Sequence, residues 1–180
     1  DVDFCRATAA AVLGDAQKIG PVPATTQNRF TVLNAGEADV LWRNTTITFS
    51  RDVGVKLTFL GVNYYDGQGF MAKKSLGINS ALELDGASVC IQTGTTTELN
   101  LADYFRSNNM TYEAVPVADS AEARECYNSG RGDVLTTDAS ALSSQRAAME
   151  NPDDHMVLAE IISKEPLGPA VRQGDDQWAD

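Results

Sequence analysis

Apolar and polar positions divide the chain into short elements that mostly alternate between helix and strand. Val2–Leu13 carries Cys5, Ala9, Val12 and Leu13 on one helical face and runs into Gly14, which suits the left-handed position past a helix end. A strand is expected near Val22-Pro23, and a second helix over Asn28–Ala35 that stops at Gly36. The unbroken apolar run Val40–Trp42 suits a strand covered on both faces. Arg51–Tyr65 reads as extended, through Val55, Leu57, Phe59 and Val62, and Gly69–Lys73 as a further strand. After a helical turn at Ala81–Leu84 the pattern restarts. Ser88–Gln92 is an apolar strand, and Leu99–Arg106 a helix with Leu99, Leu101, Ala102 and Phe105 inward. Strands at Tyr112–Val117, Val134–Thr136 and Val157–Ile162 then enclose helices at Ala121–Ser129 and Ala139–Met149. Gly168–Arg172 is extended again. Such alternation predicts an α/β fold.

One piece of this pattern is used twice. Leu33–Leu41 (LNAGEADVL) and Tyr127–Leu135 (YNSGRGDVL) agree at five of nine places, 94 positions apart, and the same offset carries Asn44 onto Asp138. The organisation expected is two lobes, a second lobe over 69–165 and a first lobe over 1–68 completed by 166–180, with two chain crossings near Gln68 and Pro166 as a hinge. By analogy with Ser88–Gln92, the first lobe lacks a central strand. Its edges would then be completed by the 166–180 tail or by a second copy of the chain, because buried sheet edges leave backbone groups unpaired.

Charge narrows the partners. The formal net charge of −11 argues against nucleic acid, whose affinity rests on neutralised phosphates, and against an anionic membrane surface. No apolar run reaches the roughly 18 residues that a membrane span needs. The chain opens inside a helix at Asp1-Val2-Asp3-Phe4 and reads as a mature or truncated stretch. Cys5, Cys90 and Cys126 show no metal-ligand spacing. Buried single thiols fit them, and a Cys90–Cys126 disulfide within the second lobe fits as well. His155 follows Asn151-Pro152-Asp153-Asp154 and reads as part of a capped surface turn.

Three places could carry chemistry. Arg51 closes a hydroxyl-rich loop, and its guanidinium could hold a carboxylate through two parallel hydrogen bonds with Thr46 and Thr48 alongside. A surface arginine that caps a helix or pairs with Asp52 is the alternative. Gln92–Glu98 (QTGTTTE) lies where a strand meets a helix. Thr95 and Glu98 form a capping box, and the same helix end offers N–H groups and a positive dipole to an anion. Asp138 follows an apolar strand and precedes a helix, so it is either an N-cap or an anion aimed at a ligand cation. All three fall at the carboxyl ends of strands, where open α/β sheets bind ligands. Two anion-binding elements and one cation-binding element describe an α-amino acid. No activated nucleophile, phosphate-binding loop or dinucleotide fingerprint accompanies them, so no enzyme is expected.

The stretches DVDFCRATAAAVLGDA, RFTVLNAGEADVLWRNTTITFSRD, NYYDGQGFMAKK, SVCIQTGTTTELNLADYF and NPDDHMVLAEIISKEPLGPAVRQGDDQW resemble the general L-amino-acid-binding periplasmic proteins of ABC importers, among the type II solute-binding proteins for polar amino acids. The resemblance covers essentially the whole chain. It implies a two-lobe fold that closes on an L-amino acid in the periplasm and delivers it to the transmembrane permease, with no cofactor and no metal. By resemblance the carboxylate clamp falls on Arg51 and Thr46, and the second-lobe backbone and hydroxyl contacts on Thr95 and Thr96. The ammonium falls to Asp138 and to the carbonyl of Asn44. Relatives begin with a strand ahead of Asp1 and continue past Asp180, so the first lobe is expected to be incomplete. Relatives often have a cysteine where this chain has Gly132. A sensory module with the same clamp, or a catalytic descendant of the fold such as a dehydratase, are the alternatives.

Overall fold

The computed structural model describes all 180 residues as two compact units, Asp1–Tyr65 with Pro166–Asp180, and Asp66–Glu165. The chain passes from the first unit to the second after Tyr65 and returns after Glu165.

The first unit contains helices α1 (Val2–Leu13), α2 (Arg29–Asn34) and α3 (Phe49–Gly54), strand β1 (Leu57–Phe59) and, after the return, β8 (Ala170–Arg172) and α7 (Asp176–Ala179). Its small core is Leu33, Leu41, Leu57 and Ala170, with Phe30, Val55 and Phe59 against it. The returning tail holds this unit together. β8 pairs antiparallel with β1, Leu57 opposite Arg172 and Phe59 opposite Ala170. On its other side, Leu41 and Ala170 exchange backbone hydrogen bonds of 2.8 and 3.2 Å, Ile47 N–H reaches Pro166 O at 2.8 Å, and Gly168 N–H reaches Thr45 O at 3.1 Å. Segments 41–47 and 57–63 thus both find their partners on 166–172 of the same chain. The fit requires glycine at 168, where a Cβ would lie 2.1 Å from Gly61 O.

Three expectations change here. No strand forms at Val22-Pro23, because Pro21 and Pro23 have no N–H to give a ladder. Val40–Trp42 shrinks to the single bridge at Leu41. The start of Arg51–Tyr65 is helical, because the Thr48 hydroxyl caps Arg51 N–H and starts α3.

The second unit is built on strands β2 (Tyr64–Lys73), β3 (Ser88–Gln92), β4 (Glu113–Val117), β5 (Val134–Asp138) and β6 (His155–Val157), in the order β4-β3-β5-β2-β6, with β7 (Ser163–Leu167) also against β2. β3 is parallel to β4 and β5, and β2 is antiparallel to β5 and β6. Alternation along the strands sorts their side chains to two faces. Phe70, Ala72, Val89, Ile91 and Val134 meet Leu101 and Phe105 of α4 (Thr96–Ser107). Met71, Cys90, Val117 and Leu135 meet Ala123, Cys126 and Tyr127 of α5 (Ser120–Asn128) and Leu142 of α6 (Ala139–Ala147). The strand expected over Val157–Ile162 ends at Val157. Beyond it, Leu158 and Ile162 still donate to Phe70 O and Gln68 O at 2.8 and 2.9 Å.

Cys90 and Cys126 form a disulfide that ties β3 to α5 across 36 residues, and Cys5 is a thiol. Gly132 leaves room for the bridge, since a Cβ there would stand 2.4 Å from Cys90 Sγ. Cross-linking restricts the unfolded chain, so the C90A/C126A variant should lose about 2–4 kcal/mol of unfolding free energy. Denaturant titrations with and without a thiol reductant check this. The reductant should lower the midpoint of the wild type and leave the variant unchanged.

His155 begins β6 half-buried, with Nδ1 2.7 Å from the Tyr127 hydroxyl. Burial pushes the Tyr127 phenol up, so it keeps its proton. Burial also holds the His155 imidazole below its ordinary 6.5, with Lys73 and Arg146 acting the same way and Asp154 against them. A depressed folded pKa stabilises above the unfolded value and is lost as pH falls through the folded one. The melting temperature should therefore decline as pH falls below about 6.5, and His155→Gln should flatten that decline. Melting curves over that range are the check.

Candidate functional site

In the first unit, the Asn44–Thr46 loop and α3 bring Asn44, Thr46 and Arg51 together. Arg51 is buried although it lies on a six-residue helix. Its Nη1 donates to Thr46 O at 2.8 Å, and its guanidinium carbon lies 5.5 Å from the centre of the Phe30 ring. Thr46 is itself pinned to the returning tail opposite Leu167. A second buried guanidinium, on Arg29 of α2, sits 4.8 Å from the same ring. It donates to Thr45 Oγ1 at 3.3 Å and, at a longer 3.4 Å, to Asn44 O. Two arginines thus shape one loop, and Phe30 spaces them. Arg51 is no surface residue.

In the second unit, Thr95, Thr96 and Asp138 occupy the carboxyl ends of the adjacent parallel strands β3 and β5. The Thr95 half of the capping box forms, while Glu98 reaches past the N-cap to the residue before it. Glu98 N–H donates to Thr95 Oγ1 at 3.0 Å, and Glu98 Oε2 accepts from Gly94 N–H at 2.9 Å. The Thr95 hydroxyl also donates to Gln92 O at 2.7 Å and lies 2.8 Å from Thr97 Oγ1. With its proton on Gln92 O, the Thr95 hydroxyl accepts from both other partners, so it is saturated inside the unit. That leaves the backbone of α4 as the part of this end suited to an anion.

Asp138 stands at the N-cap place of α6 yet makes no side-chain cap bond, and its side chain is buried. The start of α6 is served instead by Asp66 on β2. Its carboxylate accepts from Ser140 N–H at 3.3 Å and makes a short bond to the Ser140 hydroxyl. Capping therefore does not account for Asp138.

Further polar residues at this end of the sheet lie outside the set expected from the sequence. Gln68 is fully buried on β2, opposite Asp138, and its Nε2 joins Thr97 O to Thr136 Oγ1 at 2.9 Å each. Glu165, 1% exposed, collects Thr96, Asn100 and Ser163. An amide inside the apolar strand GQGF and an acid inside SKEPL were the available signals, as was Arg29 at the head of an apolar helix.

No family model matches the chain. Among curated proteins, it is 60% identical over 180 residues to the glutamate/glutamine/aspartate/asparagine-binding protein of Rhodobacter capsulatus. It is 58% identical over 180 residues to the general L-amino acid-binding periplasmic protein of Rhizobium johnstonii. Both matches take in 100% of this chain and 53% of the relative, so the chain spans about half the length of the curated relatives it matches. Among solved structures, an ABC transporter periplasmic binding protein from Brucella ovis with glutathione bound matches with TM-score 0.95 and 57% identity, over 99% of this chain and 56% of that one. An ancestral amino acid-binding protein, described as a precursor of cyclohexadienyl dehydratase, matches with TM-score 0.82 and 28% identity, over 99% of this chain and 74% of that one. Along its whole length the chain is thus similar to amino-acid-binding periplasmic proteins of ABC transporters, and it shares the type II periplasmic-binding-protein fold with the solved structures.

Proposed function

We propose that the chain serves in the periplasm as the solute-binding component of an ABC importer, taking L-α-amino acids and handing them to the transmembrane permease. The first unit supplies Arg51 and Thr46 for the ligand carboxylate and the Asn44 carbonyl for its ammonium. The second supplies the Thr95–Thr96 end of α4 for the carboxylate and Asp138 for the ammonium. The observation that carries the reading is Asp138, a buried carboxylate at a strand end whose helix is capped by a different residue. The ligand names of the Rhodobacter and Rhizobium relatives support the same class. Glutathione in the Brucella structure fits it too, because the γ-glutamyl end carries a free α-ammonium and α-carboxylate. No cofactor enters this reading, and binding rather than turnover is the activity. The dehydratase precursor among the neighbours favours one second reading, catalysis on a cyclic acid. Product formation from such an acid separates the two.

L-α-amino acids should raise the melting temperature, because a ligand that binds only the folded state stabilises it by mass action. Their decarboxylated amines should not. Equal stabilisation by an amine without the carboxylate would remove Arg51 from the ligand.

Arg51→Ala and Asp138→Ala should each weaken calorimetric affinity at least about 30-fold, as expected when one partner of a buried charge pair is deleted. Circular dichroism should show the variants folded. Unfolding with unchanged affinity would make both residues structural.

A further inference from the structure

Gln68 lies on β2 near the start of the second unit and is fully buried. Its amide joins three elements. Nε2 donates to Thr97 O in the first turn of α4 and to Thr136 Oγ1 on β5, at 2.9 Å each. Thr97 O can only accept, so the atom facing it is the amide nitrogen. The Thr136 hydroxyl gives its own proton to Gly69 O at 2.8 Å and accepts from Gln68. Both amide protons are thus used, and Oε1 is buried with no hydrogen-bond partner. Such a stranded acceptor costs free energy. An apolar side chain of the same size would avoid that cost. Thr97 O would keep the helical N–H four residues on, Thr136 would keep its bond to Gly69, and no buried donor would be stranded. Stability therefore does not account for the amide.

Its position suggests what it does. Gln68 stands directly across the ladder from Asp138, so the two side chains share one face of the sheet. Its bond to Thr97 O fixes the start of α4 against that same face. One side chain therefore ties the helix end proposed for the ligand carboxylate to the strand pair that carries the residue proposed for the ammonium. We infer that Gln68 is a positioning residue that sets the distance between these two elements, and so selects α-amino acids over β-amino acids. This rests on the amino-acid reading of the site and keeps its assignments. In an α-amino acid both charged groups sit on one carbon, and in a β-amino acid a further carbon separates them. A helix end pinned by Gln68 suits the shorter spacing, and a helix end free to slide along the sheet accepts both.

The test uses L-alanine and β-alanine, isomers that differ in this spacing. Gln68→Met keeps the length of the side chain and removes both donated bonds. Calorimetry on the full chain should show L-alanine weakened about fivefold, the worth of one hydrogen bond, and β-alanine, read by displacement, not weakened. The melting temperature of the unliganded variant should hold or rise. In Asp138→Ala this unit anchors only one of the two charges, so there the same change should cost L-alanine less than about twofold. Equal weakening of the two isomers would overturn the inference, as would a cost that persists in full in D138A. A lowered melting temperature with L-alanine affinity unmoved would make Gln68 structural. Where β-alanine competes with neither protein, the cycle with D138A decides alone. Should Gln68→Met not fold, Thr136→Val, which removes one of the amide's two partners, takes its place with the same expected result. Wild-type binding of L-alanine is read first. Its absence defeats the amino-acid reading and the inference with it, whereas intact wild-type binding with an unmoved isomer ratio and no coupling to Asp138 defeats the inference alone.

Discussion

The first unit depends on pairing the backbone edges of its two extended segments. Segments 41–47 and 57–63 each present N–H and C=O groups that burial makes costly to leave unpaired. Both are satisfied by residues 166–172, which arrive only after the chain has built the whole second unit. Arg172 extends the connection, donating to Leu33 O and Ala38 O at 3.3 and 2.7 Å around the turn at Gly36, whose φ of 78° suits glycine. The loop that presents Thr46 and Arg51 is therefore as stable as the returning tail that borders it.

The second unit solves a different problem, the burial of polar side chains at one end of a covered sheet. Gln68, Thr136 and Thr97 form a chain of hydrogen bonds through the sheet, with Thr136 Oγ1 donating onward to Gly69 O at 2.8 Å. Glu165 organises a second group around α4. Hydrogen bonds in such a network fix side-chain orientation, but Gln68 Oε1 is buried with no hydrogen-bond partner, so this one is only partly satisfied. At this end of the sheet, orientation decides whether each hydroxyl donates or accepts.

The periodic parts of the chain were readable from sequence. Ser88–Gln92, Leu101 and Phe105 of α4 and the Tyr127–Leu135 turn follow from spacing because packing on the sheet enforces the pattern there, whereas Leu99, expected inward on the same helix, is 68% exposed. The capping box at Thr95 and Glu98 was equally plain. The start of α3 is not legible in the sequence, because the Thr48 cap is one hydroxyl among several in a polar loop. Val22-Pro23 forms no strand despite its apolar character, because Pro21 and Pro23 have no N–H to pair. Glu165 and Gln68 were invisible for a deeper reason. Apart from Ser163, two positions from Glu165, their partners are 65 to 69 and 29 to 68 positions away, and no local pattern says which buried polar residue will find a distant donor.

The proposed function requires Arg51 and Asp138 each to take one charge of a bound α-amino acid. Isotope-edited NMR of the Arg51 guanidinium and the Asp138 carboxyl carbon, followed while L-glutamine is titrated in, tests it most directly. The account predicts that both signals move along one saturation curve with a single dissociation constant, and that neither moves with the corresponding amine lacking the carboxylate. Saturable binding that leaves either signal in place would contradict it.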